Sequence, residues 1–198
     1  MRLYLVRHGQ THANVAHELD TAYPGADLTE TGYEQAEHLA HRLEHEDLAA
    51  IYTSDLVRTQ QTARPLAAVL GLEIVTLQGL REIQAGDHEM STEWASYIEA
   101  VVRWREDPTQ AIPGGDTGVG FMTRYDGAIR RIAEDGHESA VAVSHGAAMR
   151  VWCGARLGLP LDFIDGRTVA NTHVVTMEGD PDDGWRLLAW GDEPIVHG

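Results

Sequence analysis

Two His-Gly pairs, His8-Gly9 and His145-Gly146, each follow a short apolar run, Tyr4-Leu5-Val6 before the first and Ala140-Val141-Ala142-Val143 before the second. Arg7 adjoins the first pair. Arg58 lies in Ser54-Asp55-Leu56-Val57-Arg58-Thr59, which follows a third such run, Ala49-Ala50-Ile51-Tyr52-Thr53. A neutral imidazole can attack an electrophile or carry a proton, and a guanidinium is a permanently charged fork of donors. Converging on one point, these groups make an anion site whose natural occupant is a phosphoryl group. A glycine directly after each histidine allows close backbone approach to a ligand. A backbone amide at the start of a helix after His145 would add one more anion donor.

Such convergence requires the three runs to be neighbouring strands. The sequence predicts short strands at 4–6, 49–53, 72–75 and 140–143, the last apolar throughout and bounded by Gly136 and Gly146. Between them, apolar residues at one-face spacing predict a helix over 29–46, through Ala36, Leu39, Ala40 and Leu43. Ser54 or Asp55 is positioned to cap a second helix that ends at Gly71, with Pro65 predicting a kink or a local restart. Further helices are expected over 92–105, 119–134 and 147–157, the last closing on Gly158 and Pro160. Residues 169–177 and 185–190 suit a terminal hairpin around the Gly/Asp-rich turn at 179–184. Strands alternating with helices indicate a three-layer α/β/α sandwich with a mainly parallel central sheet, here as one domain over 1–198. In such sheets ligands collect beyond the carboxyl ends of the strands, where both His-Gly pairs and both arginines fall.

Charge narrows the function classes. The chain carries 31 Asp and Glu against 15 cations, a formal net charge of −16, and every cation is arginine. A basic face for nucleic acid or for an anionic membrane is not expected. The absence of lysine removes phosphate-loop, kinase, Schiff-base and beta-lactamase lysine chemistry. Cys153 is alone, so no disulfide framework, CxxC pair or zinc knuckle follows. The apolar start is too short for a signal peptide, and a cytoplasmic location is expected.

Arg7-His8-Gly9, Ser54 to Thr59 with Arg58, Glu82 and Ser144-His145-Gly146 together resemble the histidine phosphatase superfamily, the phosphoglycerate-mutase-like group. Asn14 seven residues after Arg7, Leu28-Thr29-Glu30-Thr31-Gly32 and Gly115-Asp116-Thr117 extend the likeness over most of the chain. The resemblance implies a phosphomonoesterase in which His8 is the nucleophile and Arg7, Arg58 and His145 hold the non-bridging oxygens. Glu82 matches the family's acid/base position, with Glu89 and Asp87 as substitutes, because Gln84 to Glu89 departs from the commoner family stretch. Asn14, Gln10 and Gly146 are further phosphate or substrate contacts. The arginines supply the positive charge, so no metal and no cofactor is implied. The expected partner is a small phosphorylated substrate, and a homodimer is the commonest assembly to expect.

Two other readings stand beside this one. A phosphoglycerate mutase would return the phosphoryl group to substrate under a long cover, but only 32 residues separate Glu82 from Gly115 and no Arg-His-Tyr follows Glu82. A binding module that kept the fold would not need the nucleophile. His38, His41 and His45 recur at helical spacing and read as a solvated face rather than a metal site. The glycines at 114–120 lack a preceding strand and read as a loop and helix start. The five tryptophans read as core or interface, with Trp94 and Tyr97 candidates for the substrate mouth. Specificity is expected in the loops 19–26 and 86–118.

Overall fold

Along β1 (Arg2–Arg7) successive side chains enter opposite cores: Leu3 and Leu5 one, Tyr4 and Val6 the other. The period of two of an extended chain dictates this division. The computed structural model describes residues 1–195, so 196–198 of the expected domain span lie outside the described residues. β2 (Ala50–Thr53), β3 (Ile74–Thr76) and β4 (Ser139–Ser144) join β1 as a parallel set in the order β3-β2-β4-β1. β4 is buried along its whole length, as a central strand covered on both faces must be. β5 (Val174–Asp180), β6 (Gly184–Trp190) and β7 (Glu193–Pro194) extend the sheet antiparallel beyond β1.

Two helices cover one face. α2 (Glu30–Leu43) and α3 (Val57–Leu70) bury Leu39, Leu43 and Leu66 against Tyr4, Val6, Ile51, Val141 and Val143. On the other face α5 (Gly118–Glu134) and α6 (Gly146–Arg156) bury Phe121, Tyr125, Ile129 and Trp152 against Leu3, Leu5, Ala140 and Ala142. Each large apolar side chain so buried contributes about 1.5–3 kcal/mol. The fold is thus a three-layer α/β/α sandwich. Short helices α1 (His12–Ala16), α4 (Ala95–Arg103) and α7 (Leu161–Asp165) lie in the connections. No helix among the described residues is long and apolar enough to cross a membrane.

Several expected boundaries move. α2 begins one residue later than expected because Thr29 caps it, accepting the Gly32 amide at 3.0 Å, and Thr117 caps α5 through Gly120. α3 instead begins at Val57 after Leu56, with no side-chain cap. Ser54 and Asp55, the expected caps, are spent on His145 and Arg81. α3 also runs to Leu70 without a restart at Pro65, because Ala63, Leu66 and Ala67 pack into the core on either side of it. Gly71 ends it at φ +66°, the left-handed conformation that glycine adopts without cost. β5 begins only at Val174, since 169–173 crosses the strand ends as a loop. Among the tryptophans, Trp104, Trp152 and Trp190 are buried. His38, His41 and His45 are exposed, and His41 faces Glu44 at 3.5 Å.

Candidate active site

The carboxyl ends of β1, β2 and β4 bring Arg7, His8, Arg58 and His145 together. The His8 amide bonds the Ser144 carbonyl at 3.0 Å, and the rings of His8 and His145 stand 5.2 Å apart. Gly9 is required by contact: a Cβ there would lie 2.7 Å from the Gly32 carbonyl oxygen at the start of α2. Its amide is held by the Thr62 hydroxyl, one helical turn beyond Arg58.

Hydrogen bonding fixes which nitrogen of each histidine carries the proton. His8 Nδ1 meets the Gly9 carbonyl at 2.7 Å, and a carbonyl can only accept, so Nδ1 carries the proton. The lone pair is left on Nε2. His8 is 4% exposed. Burial, then Arg58 and Arg7, holds its pKa well below the ordinary histidine range, so the ring is neutral. His145 is fully buried and likewise held far down by burial and then by Arg58. Its Nδ1 accepts from Arg58 Nε at 3.3 Å, so Nε2 carries the proton and donates to Ser54 Oγ at 2.8 Å. Expected as a direct phosphate donor, His145 spends both nitrogens on protein groups.

The arginines keep donors in reserve. Arg58, 2% exposed, gives Nη2 to the Asp20 carbonyl and Nη1 to the Asp20 carboxylate. With Nε on His145, three of its five N–H groups are engaged. Arg7 donates Nη1 to the Val169 carbonyl at 2.6 Å, while its Nε is buried without an acceptor among the described residues. Both guanidiniums are made less basic by burial, and Glu82 counteracts this in each. Gly146 lets Arg7 lie close, since a Cβ there would stand 3.2 Å from Arg7 Nε.

Glu82 occupies the start of α6. Its Oε1 accepts from Ala148 and Ile83 amides at 2.7 and 2.9 Å, and Oε2 from Ala147 at 3.0 Å. The helix amides expected for a ligand therefore already hold a carboxylate, which the positive end of the helix favours. Glu89 is used elsewhere: it takes the amides of Thr21 and Ala22 and the Thr21 hydroxyl. Asp87 is exposed and turns toward Gly114.

Asn14 is beside His8 but serves the local frame, its Oδ1 accepting from the Thr11 amide and from Asn171 Nδ2, both at 3.1 Å. That leaves its amide group as the end available to a ligand. Gln10 is held at α2: its side-chain oxygen accepts from the Thr29 hydroxyl and its backbone amide donates to the Gln35 side-chain oxygen. Tyr97, expected at the mouth, is buried beneath the Glu82 segment and donates to the Ile83 carbonyl. Trp94 remains partly exposed and donates to the His17 carbonyl. The two loops expected to carry specificity meet, through Met90 to Leu19 and Leu19 to Ser91 backbone bonds.

Sequence reasoning missed three contributors. Asn171 braces the His8 carbonyl at 3.0 Å, Asp20 engages Arg58, and Arg124 holds the carbonyls of Gly79, Arg81 and Glu82. The sequence pattern places Asn171 inside the strand expected over 169–177, whereas it stands in the loop before β5.

Comparison with known proteins finds relatives over nearly the whole chain. The family model described as histidine phosphatase superfamily (branch 1) matches residues 3–193. A PE-PGRS family protein of Mycobacterium tuberculosis is 35% identical over 96% of this chain, which spans only 36% of that protein's length. The Proteus mirabilis protein named "Probable phosphoglycerate mutase GpmB" is 33% identical, over 91% of this chain and 93% of its own. Among solved structures, mycobacterial glucosyl-3-phosphoglycerate phosphatase in complex with VO3 superposes with a TM-score of 0.81 at 30% identity, over 96% of this chain and 98% of that one.

Proposed function

The chain belongs to the histidine phosphatase superfamily, branch 1, and from that premise we propose that it hydrolyses small phosphomonoesters through a covalent phosphohistidine on His8. One observation carries the reading: a buried neutral His8 with Nδ1 committed to Gly9 and its Nε2 lone pair free, set beside buried Arg58 and half-buried Arg7. His8 Nε2 attacks phosphorus as the ester P–O bond breaks, and Glu82, protonated for this step, gives its proton to the leaving oxygen. Water then loses a proton to the Glu82 carboxylate and attacks the phosphohistidine. The N–P bond breaks, neutral His8 returns and inorganic phosphate leaves. Arg7 and Arg58 hold the non-bridging oxygens and stabilise charge in both transition states. His145 acts through Arg58, whose Nε it fixes, and Asn14 contributes its amide group. Glu82 must exchange at least one helix amide for the leaving oxygen, and Oε2, with one amide partner, is the better placed.

The mutase named for the Proteus mirabilis relative is the second reading. Phosphate release from p-nitrophenyl phosphate, and from 3-phosphoglycerate with 2,3-bisphosphoglycerate present, separates the two. Phosphate release is expected to exceed 2-phosphoglycerate formation. Faster formation of 2-phosphoglycerate would make the chain a mutase, and no turnover of any monoester would make it a binding module.

A further inference from the structure

The 19–26 loop brings a carboxylate into contact with one of the two arginines that the reaction needs. Asp20 Oδ2 stands 3.3 Å from Arg58 Nη1, the Asp20 carbonyl accepts from Nη2 at 2.8 Å, and the Asp20 side chain is only 9% exposed. The same Oδ2 takes the Ala26 amide at 2.7 Å, so the carboxylate is fixed rather than adjustable. Gly25, at φ +77°, lets the loop close down, since a Cβ there would lie 2.3 Å from Arg58 Nη1. Glu89 clamps the neighbouring Thr21 and Ala22 from the facing segment.

Charge at this mouth is therefore already more than balanced. Asp20, Glu82 and Glu89 all act on the Arg58 charge, so three carboxylates stand around two guanidiniums before a phosphoryl group arrives. Even with Glu82 holding the proton it donates, Asp20 and Glu89 offset Arg7 and Arg58. The cations that flank the Glu82 segment are spent as well: Arg81 is paired with both oxygens of Asp55 beneath the Tyr23 ring, and Arg124 is paired with Asp116. A phosphoryl group can use the remaining arginine N–H groups. A second anion on the leaving group would meet fixed carboxylates in a partly dry site, where like charges repel strongly.

We infer that this mouth selects phosphomonoesters of neutral alcohols and rejects those whose leaving group carries a further anion, with Asp20 as the specificity-determining residue. The inference rests on the phosphomonoesterase reading above. A matched pair tests it: glycerol 3-phosphate and 3-phosphoglycerate share a three-carbon frame and differ in a hydroxymethyl against a carboxylate. On the wild-type protein kcat/KM for glycerol 3-phosphate is expected to be higher by about tenfold, mainly through KM, and the gap should narrow as salt screens the repulsion. Asp20→Asn keeps an acceptor for Ala26 and Arg58 while removing the charge, and should shrink the preference by about threefold or more. Equal rates on the pair, or preference for 3-phosphoglycerate, would overturn the inference. An unchanged ratio in Asp20→Asn would overturn the assignment to Asp20. Turnover of p-nitrophenyl phosphate is measured alongside: if it proceeds while the pair is not discriminated, only this inference falls, and if no monoester is turned over, the phosphomonoesterase reading falls with it.

Discussion

The two edges of the one sheet carry opposite surfaces. At the amino ends of β1 and β4 lies a hollow of about 1080 Å³, lined by Arg2, Glu46, Glu138, Glu178 and Arg186 among others. Its charges are exposed, and Arg2 and Arg186 share Glu178. At the carboxyl ends, Arg58, His8 and His145 are almost wholly buried, and Arg7 keeps a buried Nε with no acceptor. Exposed ion pairs contribute up to about 1 kcal/mol each, whereas burying a charge costs several kcal/mol before its partners are counted. The fold sustains that cost at one edge only. Incompletely paired buried charge thus distinguishes the carboxyl edge from the hollow at the amino edge.

The largest test of this contrast compares one substitution at each edge. His8→Ala should reduce kcat/KM by about a thousandfold or more, with the circular dichroism spectrum unchanged, because it removes the nucleophile. Arg186→Ala, beside the hollow at the amino edge, should leave kcat/KM within about twofold, as expected for a change far from the reacting atoms. Substantial activity in the first variant, or a large loss in the second, would place the chemistry at the wrong edge. Next in size, Arg58→Ala should cost about a hundredfold and weaken vanadate inhibition. Arg58→Lys should not restore it, since an ammonium cannot serve His145, Asp20 and a phosphoryl oxygen together.

Glu82→Gln sharpens the assignment within the site. Its loss on alkyl phosphates should exceed that on p-nitrophenyl phosphate by about tenfold, because a nitrophenolate needs little help from an acid. Equal losses would leave Glu82 only its bonds to α6. A separate effect, on stability rather than on turnover, comes from the two buried histidines. The folded protein keeps His8 and His145 neutral below pH 6.5, whereas in the unfolded chain both take up protons near that pH. The unfolded state then binds more protons, so this contribution is fully present above about pH 6.5 and is lost as pH falls, by about 1.4 kcal/mol per unit for each histidine. Melting temperature should drop between pH 7 and 5, and His145→Gln should flatten the slope.

Strands β1 to β6, helices α2 to α6 and the meeting of Arg7, His8, Arg58 and His145 were legible because local rules and the site agree there, whereas the short α1, α7 and β7 were not. Apolar runs end in His-Gly, and glycine is what the close contact with Gly32 demands. Legibility failed where a side chain with an ordinary local use is taken by a distant partner. Ser54 and Asp55 look like helix caps, but His145 and Arg81 claim them. Gln10 looks like a ligand contact, but its side-chain oxygen is taken by Thr29 at the start of α2. Asp20, Asn171 and Arg124 act across separations of 38 residues or more, which no periodicity records.

The central claim is that the phosphoryl group passes through His8, and a rapid-quench experiment with a [32P]phosphomonoester tests it directly. Digestion of protein quenched in alkali is predicted to give one labelled peptide containing His8, with the alkali-stable, acid-labile behaviour of a phosphoramidate. The label should form and decay fast enough to account for turnover, and should be absent in His8→Ala. Steady release of phosphate from wild-type protein with no such label at any time, or with the label on another residue, would contradict it.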